Sequence, residues 1–559
     1  MNQKIRLFMF VSILVTAILA ASQMAVAAPP RTVDVQILAL NDFHGNLVPP
    51  SGSSGLVEGI PAGGVEYLAT HINNLRALNP RTVVVSAGDM VGASPLLSAL
   101  FHDEPTIEAF NLIGLDFNAV GNHEFDEGWR ELVRLQRGGC HPVDGCLDGD
   151  GFAGANFQFL AANVVHRNTG QTIFPAYKTR TFAGVKIAFI GMTLEGTPSI
   201  VSPAGIADLD FLDEADTVNA LIPGLQQQGI ETIVVLIHEG GIQTAPFSYN
   251  GCSGLSGPIV EIVENLNDAV DVVITGHTHQ PYNCVIDNKI VTSAFSFGRL
   301  VTKIDLTIDK TTRDVVTMVA DNRIVTRDVP KDTLLTALIE RYNEIAAPLA
   351  NRVIGTIAAD ITRTANAAGE SALGDVIADA QLDATDDPGF GDAVVAFMNP
   401  GGIRADFIYN QISGDELPGE VTYGEMFTVQ PFGNSLVTMS LTGAQIETLL
   451  EQQFVGCGQT ANRILQVSVG FSYTWNAAGG PCDKVDPSTI MLNGVVVDPS
   501  ATYRVTVNSF LADGGDNFFV LKDGTDRLGG EVDTDALEKY FIANSPVVPG
   551  PQDRITVIP

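Results

Sequence analysis

Five short clusters in this sequence gather side chains that bind cations: Asp42-Phe43-His44, Gly88-Asp89, Gly121-Asn122-His123-Glu124, His238-Glu239-Gly240-Gly241 and Gly276-His277-Thr278-His279. Their donors are imidazole, carboxylate and one amide, with no thiolate. That mix suits Zn, Mn, Fe or a similar divalent ion and argues against a structural zinc finger. His44, His238, His277 and His279, with Asp42, Asp89 and Asn122, are more donors than one ion needs. Two ions sharing a bridging carboxylate would use them all. His123 and Asp126 remain as a pair. A carboxylate beside an imidazole fixes its tautomer and raises its basicity, which is how an acid-base group is built. His71, His102, His141 and His166 lack such neighbours and read as ordinary surface or packing residues.

Each cluster follows a run of β-branched or apolar residues: Val35–Leu40, Thr82–Ser86, Phe117–Val120, Ile233–Ile237 and Val272–Thr275. Such runs predict buried strands, and in α/β sheets ligand-binding loops gather beyond the carboxyl ends of strands. Clusters far apart in sequence can therefore converge, with glycines allowing sharp turns and close backbone approach. Lys186–Ile190 reads as a further strand, and Glu104–Ile113 and Pro258–Leu266 as intervening helices. This alternation, from Val33 to about Asp321, predicts a layered α/β domain.

Asp332 to Ala350 carries Leu334, Leu335, Leu338, Ile339, Tyr342 and Ile345 at helical spacing. Asp332 can cap its start and Pro348 disfavours its continuation. It reads as a helix linking two domains. A second mixed α/β region follows, with strands Val394–Met398 and Tyr503–Val507. Thr442 and Gln445 form a capping-box pattern that predicts a helix over Ala444–Gln452. The expected division is a leader over 1–28, a first domain over 32–330, the linking helix over 331–352 and a second domain over 353–559.

Three loops of the second region could select a substrate. In Asn399-Pro400-Gly401-Gly402-Ile403-Arg404, glycines expose backbone amides and the arginine offers a planar fork for phosphate or carboxylate. Gln430-Pro431-Phe432-Gly433-Asn434 and Phe510-Leu511-Ala512-Asp513-Gly514-Gly515-Asp516 each set an aromatic beside glycines. Two exposed ring faces can sandwich a flat base, at ~1–3 kcal/mol each.

Composition sets the limits. At 559 residues, 45% apolar and 17% charged, the chain is too long for one core and too apolar for disorder. Its formal charge of −33 disfavours nucleic-acid polymers and anionic membranes. A small anionic substrate stays compatible provided metals or a few arginines hold it. Lys4 and Arg6, the apolar run Leu7 to Ala20 and Ala25-Val26-Ala27 have the parts of a cleaved secretory signal, so a secreted or periplasmic protein without stable membrane insertion is expected. Six cysteines, none in a CxxC, fit disulfides in such a compartment. Proximity favours Cys140–Cys146, Cys252–Cys284 and Cys457–Cys482.

With these motifs the sequence resembles the calcineurin-like metallophosphatases, and more closely the exported bacterial 5′-nucleotidase family. The resemblance covers nearly the whole mature chain. It implies a four-layer α/β/β/α metallophosphatase domain followed by a mixed α/β substrate-binding domain. It implies two divalent ions, one held by Asp42, His44, Asp89 and His279 and the other by Asp89, Asn122, His238 and His277. It places His123 near the phosphoryl group with Asp126 orienting it. It makes Phe432 and Phe510 the base clamp, Asp516 a ribose contact, and Asn399, Gly402, Arg404 and Asn434 further substrate contacts. Glu370 to Asp375 also matches a family segment; where some relatives carry arginines just upstream, this chain has Ala365 to Gly369, with Arg363 nearby. The implied reaction removes the 5′-phosphate of a nucleotide. Hydrolysis of 2′,3′-cyclic nucleotides, UDP-sugars or dinucleotides would use the same centre, and a non-catalytic nucleotide binder is the reading from a different class.

Overall fold

The computed structural model describes residues 31–50, 52–201, 203–244 and 248–559. The expected leader lies outside the described residues.

Two six-stranded sheets form the N-terminal half. The first runs Val315–Ile324, Leu300–Asp309, Thr32–Leu40, Thr82–Ser86, Phe117–Ala119, Gln158–Leu160. The second runs Pro281–Ile286, Lys289–Ala294, Val272–Thr275, Thr232–His238, Val185–Thr193, Tyr177–Phe182. Strand Thr32–Leu40 shows how the layers arise. Successive side chains point to opposite faces, so Val35, Ile37 and Ala39 enter the core between the sheets, facing Ile187, Phe189, Val234 and Leu236 of the second. Leu38 and Leu40 point outward, into a core shared with helices Val65–Leu78, Glu104–Ile113 and Trp129–Arg137. On the far side, Ile190, Ile233 and Val235 pack beneath helices Glu214–Gln227 and Pro258–Asn265. Helix, sheet, sheet, helix is the four-layer α/β/β/α order expected.

Helix Thr333–Ala350 begins where its cap predicts: the Asp332 carboxylate accepts from Leu334 N and Leu335 N. Its buried residues Leu335, Leu338, Ile339, Tyr342 and Ala346 belong to the outer N-terminal core, so the connecting helix is packed rather than free-standing. Contrary to the expectation, the helix continues through Pro348 to Ala350, and the proline forfeits one intrahelical N–H donor there.

The C-terminal half is also mixed α/β. Strands Gln466–Val467, Val395–Met398, Thr502–Asn508, Ser435–Thr442 and Thr525–Val532 form one sheet. A second sheet is built on Phe471–Gly480, to which the last strand, Ile555–Ile558, pairs in parallel. Both halves of the Thr442/Gln445 capping box form, opening helix Gly443–Glu451. Disulfides join Cys140–Cys146, Cys252–Cys284 and Cys457–Cys482, the three pairings expected from proximity. Among the described residues no helix is long and apolar enough to cross a membrane.

Candidate active site

Strands Thr32–Leu40, Thr82–Ser86 and Phe117–Ala119 run parallel, as do Thr232–His238 and Val272–Thr275. The loops beyond their carboxyl ends bring all five sequence clusters together. Backbone bonds interlock them: Asp42 N donates to Gly88 O (2.9 Å), His44 N to Asp89 O (3.0 Å) and His277 N to both Asp42 carboxylate oxygens (3.0 and 3.1 Å). Gly88 and Gly121 are required sterically, since a Cβ at Gly88 would stand 2.7 Å from His238 Nδ1 and one at Gly121 2.2 Å from Asp89 Oδ1. Asp42, His44, Asp89, His277 and His279 all adopt left-handed backbone, with φ between 47° and 71°. Non-glycine residues held there are strained by roughly 1–3 kcal/mol each. A buried Val, Leu or Ile returns about 1.5–3 kcal/mol, so the apolar layers beneath outweigh that strain.

The donors face one another. His44 Nε2 lies 3.1 Å from His279 Nε2, His279 Nε2 3.3 Å from Asp42 Oδ1, and His44 Nε2 3.7 Å from Asp89 Oδ2. On the other side of Asp89, His238 Nε2 is 2.9 Å from its Oδ2, and Asn122 Oδ1 is 3.1 Å from His238 Nε2 and 3.0 Å from His277 Nδ1. Two backbone carbonyls fix ring orientation: His44 Nδ1 donates to Gly92 O (2.9 Å) and His238 Nδ1 to Ala87 O (2.8 Å). Both rings therefore turn Nε2 inward, the atom that would face a metal once any proton on it is displaced. Lone pairs and carboxylates packed this closely call for positive charge. Burial opposes charging either His238 or His277, yet Asp89 holds the proton on His238 up to about 10, whereas burial and the neighbouring His238 push His277 down to about 3. Asp89 itself lies well below the usual carboxylate range; burial would raise it, but His238, His123 and His44 outweigh that. This buried set of oxygen and nitrogen donors fits a pair of divalent ions on chemical grounds.

Glu124, given no role from sequence, is the brace of these loops. Its carboxylate accepts from Asp89 N (2.9 Å), Met90 N (2.9 Å), Gly121 N (2.6 Å) and Asn118 Nδ2 (3.1 Å). It thereby ties two ligand loops to one side chain. The signal was its place two residues after Asn122, but only the fold shows what it holds.

His123 Nδ1 donates to Asp126 Oδ2 at 2.9 Å, and Asp126 Oδ2 also accepts from Ala93 N at 3.1 Å. Burial favours the neutral ring, but Asp126 and Asp89 together raise its pKa above the ordinary histidine value. His123 also lies within reach of His44 and Asp89.

A cavity of about 460 Å³ opens over this cluster. Asn122, His123, Asp126 and His277 line it from one side, and Asn399, Gly402, Arg404, Phe432, Asn434, Phe510 and Asp516 from the other. The deeper donors Asp42, His44, Asp89, His238 and His279 lie behind this lining. Phe432 stacks on His123, with centroids 5.8 Å apart and planes 21° from parallel, and Arg404 sits 5.8 Å from the same ring. That is an offset stack within the range of ring–ring interaction. Phe510 lies against Gly515, where a Cβ would stand 2.5 Å from the ring. Asn399 Nδ2 donates to Asp516 Oδ2 (2.9 Å), and Asn508 Nδ2 donates to Asn399 Oδ1 (3.0 Å). Arg463 Nη1 reaches Asp516 Oδ1 at 2.5 Å and adds a second cation to the lining. Arg363 stands close enough to Arg404 to help burial lower its pKa.

Residues 35–281 match the family model for calcineurin-like phosphoesterases, and residues 353–523 match that for the 5′-nucleotidase C-terminal domain. Over 545 residues the chain is 32% identical to the cell wall protein Lmo0130 of Listeria monocytogenes, covering 92% of this chain and 68% of that protein. The chain belongs to the 5′-nucleotidase family. Its members share a metallophosphatase domain that uses a dinuclear metal centre, and this member is a hydrolase of that kind. It is 33% identical over 492 residues to Endonuclease YhcR of Bacillus subtilis, covering 87% of this chain but spanning only 37% of that relative's length. Among solved structures, a 5′-nucleotidase precursor from Thermus thermophilus superposes with a TM-score of 0.76 at 26% identity, over 94% of this chain and 99% of that one.

Within this 5′-nucleotidase-family chain, the seven expected ligands, the His123–Asp126 pair and all seven expected substrate contacts come to one place. Arg463 and Asn508 line the same cavity without a signal in the sequence, because neither sits in a glycine or aromatic motif.

Proposed function

We propose that this chain removes the 5′-phosphate of nucleotides, giving nucleoside and inorganic phosphate, after export through its N-terminal signal. The observation that carries the reading is the single cavity with a cation-demanding cluster at its floor and stacking, amide and guanidinium groups on the facing wall. Asp42, His44, Asp89 and His279 would hold one divalent ion, and Asp89, Asn122, His238 and His277 the other. Such a pair supplies Lewis acidity to phosphoryl oxygens and activates water.

The chain's own groups do the rest. The His123 imidazole, held by Asp126, faces the phosphoryl group; it stabilises negative charge there or delivers a proton to the leaving ribose oxygen. Arg404 offers its guanidinium to the phosphate, supported by the positive field of Arg363. Phe432 and Phe510 stack on the base, and Asp516, steadied by Asn399 and Arg463, accepts from ribose hydroxyls. The exported setting agrees with three formed disulfides.

Purified chain assayed with AMP, 2′,3′-cyclic AMP, a UDP-sugar and an aryl phosphate tests the proposal. A kcat/KM highest for AMP, abolished by chelation and restored by a divalent ion, is expected. Preference for the cyclic or sugar nucleotide would replace the substrate assignment.

A further inference from the structure

We propose that Asp103 is a positioning residue for the hydrolysis, acting through the backbone of Gly92 on both His44 and the His123–Asp126 pair. The inference rests on the reading that His44 holds an ion and Asp126 orients His123. One peptide unit joins those two groups. At its carbonyl end Gly92 O accepts from His44 Nδ1 (2.9 Å), and at its amide end Ala93 N donates to Asp126 Oδ2 (3.1 Å). A ligand ring and the carboxylate behind the acid-base histidine are therefore hung on one rigid plane.

That plane is set on a pliant residue. Gly92 has φ of +79°, and a Cβ there would stand 2.3 Å from His123 O and 2.8 Å from Asp126 Oδ2. A side chain does not fit, and glycine restrains its own dihedrals least. The restraint has to come from outside, and Asp103 supplies it: its Oδ2 accepts from Gly92 N at 2.8 Å. The carboxylate is held in turn. Its Oδ1 accepts from Ser98 Oγ (2.6 Å), which also meets Thr106 Oγ1 (2.7 Å), and the residue is only 7% exposed.

The local structure of Asp103 argues that this contact is not incidental. Asp103 stands immediately before helix Glu104–Ile113, where an aspartate ordinarily accepts from amides of the first turn. Its side chain makes no such bond, and its backbone is left-handed with φ of 60°. Helix capping is forgone and strain is accepted for a geometry that reaches Gly92. An aspartate whose task was to start the helix would do the reverse.

Asp103→Ser tests this, because serine can still cap a helix but is too short to reach Gly92 N. Each full-length protein is stripped with chelator and titrated with zinc against a chromogenic competitor. The variant should bind one zinc ~10–100-fold more weakly than wild type, the range for losing a group that orients a ligand, and the other as before. Its kcat for an aryl phosphate at saturating zinc should fall by a larger factor than its KM rises. Asp103→Asn should restore both, since its amide oxygen can accept from Gly92 N while its Nδ2 donates to Ser98 Oγ. Wild-type affinity for both ions in Asp103→Ser, with only a lower Tm, would make Asp103 a structural residue and overturn the proposal. Equal loss in Asp103→Asn would overturn a role through the Gly92 bond. His44→Ala separates the proposal from the reading beneath it. Loss of one ion there, with both kept in Asp103→Ser, sinks the proposal alone; both ions held at wild-type affinity in His44→Ala sink the reading and the proposal with it. Should Asp103→Ser not fold, Ser98→Ala, which releases the carboxylate, decides. Weaker binding of one ion supports the proposal, and unchanged binding of both overturns it.

Discussion

The floor and the facing wall of the cavity hold their side chains in different ways. On the floor, Asp42, His44, Asp89, Asn122 and His238 are buried, each within 2% of full burial, and their loops are bonded backbone to backbone and braced by Glu124. On the wall, Arg404, Phe432 and Phe510 are half-buried, and their neighbours are held by side-chain amides and carboxylates such as Asn399, Asn508 and Asp516. The floor keeps fixed positions for atoms that react, since a small displacement there disrupts metal geometry and in-line attack alike. The wall presents surfaces that a substrate can stack on and leave. On the proposed function, chemistry and selection fall to different halves of the chain, and mutation should separate them.

The strongest test removes Asp89, the carboxylate proposed to serve both ions. Asp89→Asn should abolish hydrolysis of both AMP and an aryl phosphate and lower the content of both ions, measured by mass spectrometry; His44→Ala should lose less. Full activity in Asp89→Asn would break the division at its base. Next, His123→Ala should lower kcat by ~10²–10⁴ for either substrate, the range for losing an acid-base group, while metal content stays near that of wild type. Because His123 also lies within reach of His44 and Asp89, a fall in metal content would instead place it among the ligands.

On the wall, Phe432→Ala with Phe510→Ala should raise KM for AMP by about tenfold or more, from ~1–3 kcal/mol per stacked face. The aryl phosphate, which needs no base clamp, should be affected far less. Equal loss for both substrates would mean the rings serve the fold. Gly515→Ala should reproduce part of the Phe510 effect, since the new methyl would displace that ring.

The smallest effect concerns pH. Burial pushes the Asp533 carboxyl, which accepts from Asn434 of the wall, up to about 7. An acid with a raised folded-state pKa stabilises the fold fully below its unfolded value, near 3.8, and that contribution is lost as pH rises towards about 7. Asp533→Asn should therefore flatten the fall in Tm between pH 4 and 7, by about 2 °C or more, and leave kcat for the aryl phosphate unchanged.

The floor was legible in the sequence because every proposed ligand stands at or after a strand end, and a strand that ends in a donor declares both its position and its chemistry. His238 goes further and is itself the last residue of its strand. The layers were legible for the same reason, in the alternation that sends Val35, Ile37 and Ala39 one way and Leu38 and Leu40 the other. The wall was legible only where glycine and phenylalanine stood together. Arg463 stayed hidden because its partner Asp516 is 53 residues away, and no local pattern records such a pairing. The connecting helix read as a linker because periodicity reports that a face is buried, not against which core.

The left-handed backbone at Asp42, His44, Asp89, His277 and His279 narrows the residue alphabet of these positions from an unexpected side. Among side chains with a Cβ, asparagine, aspartate and histidine tolerate that conformation best. Those three types also supply the oxygen and nitrogen donors of the floor. At these positions a replacement is screened twice, once for what it can ligate and once for the turn it can make. Glutamate or cysteine could pass the first screen, yet would meet the second at a disadvantage. The choice of aspartate and histidine is then as much a property of the turns as of the ions.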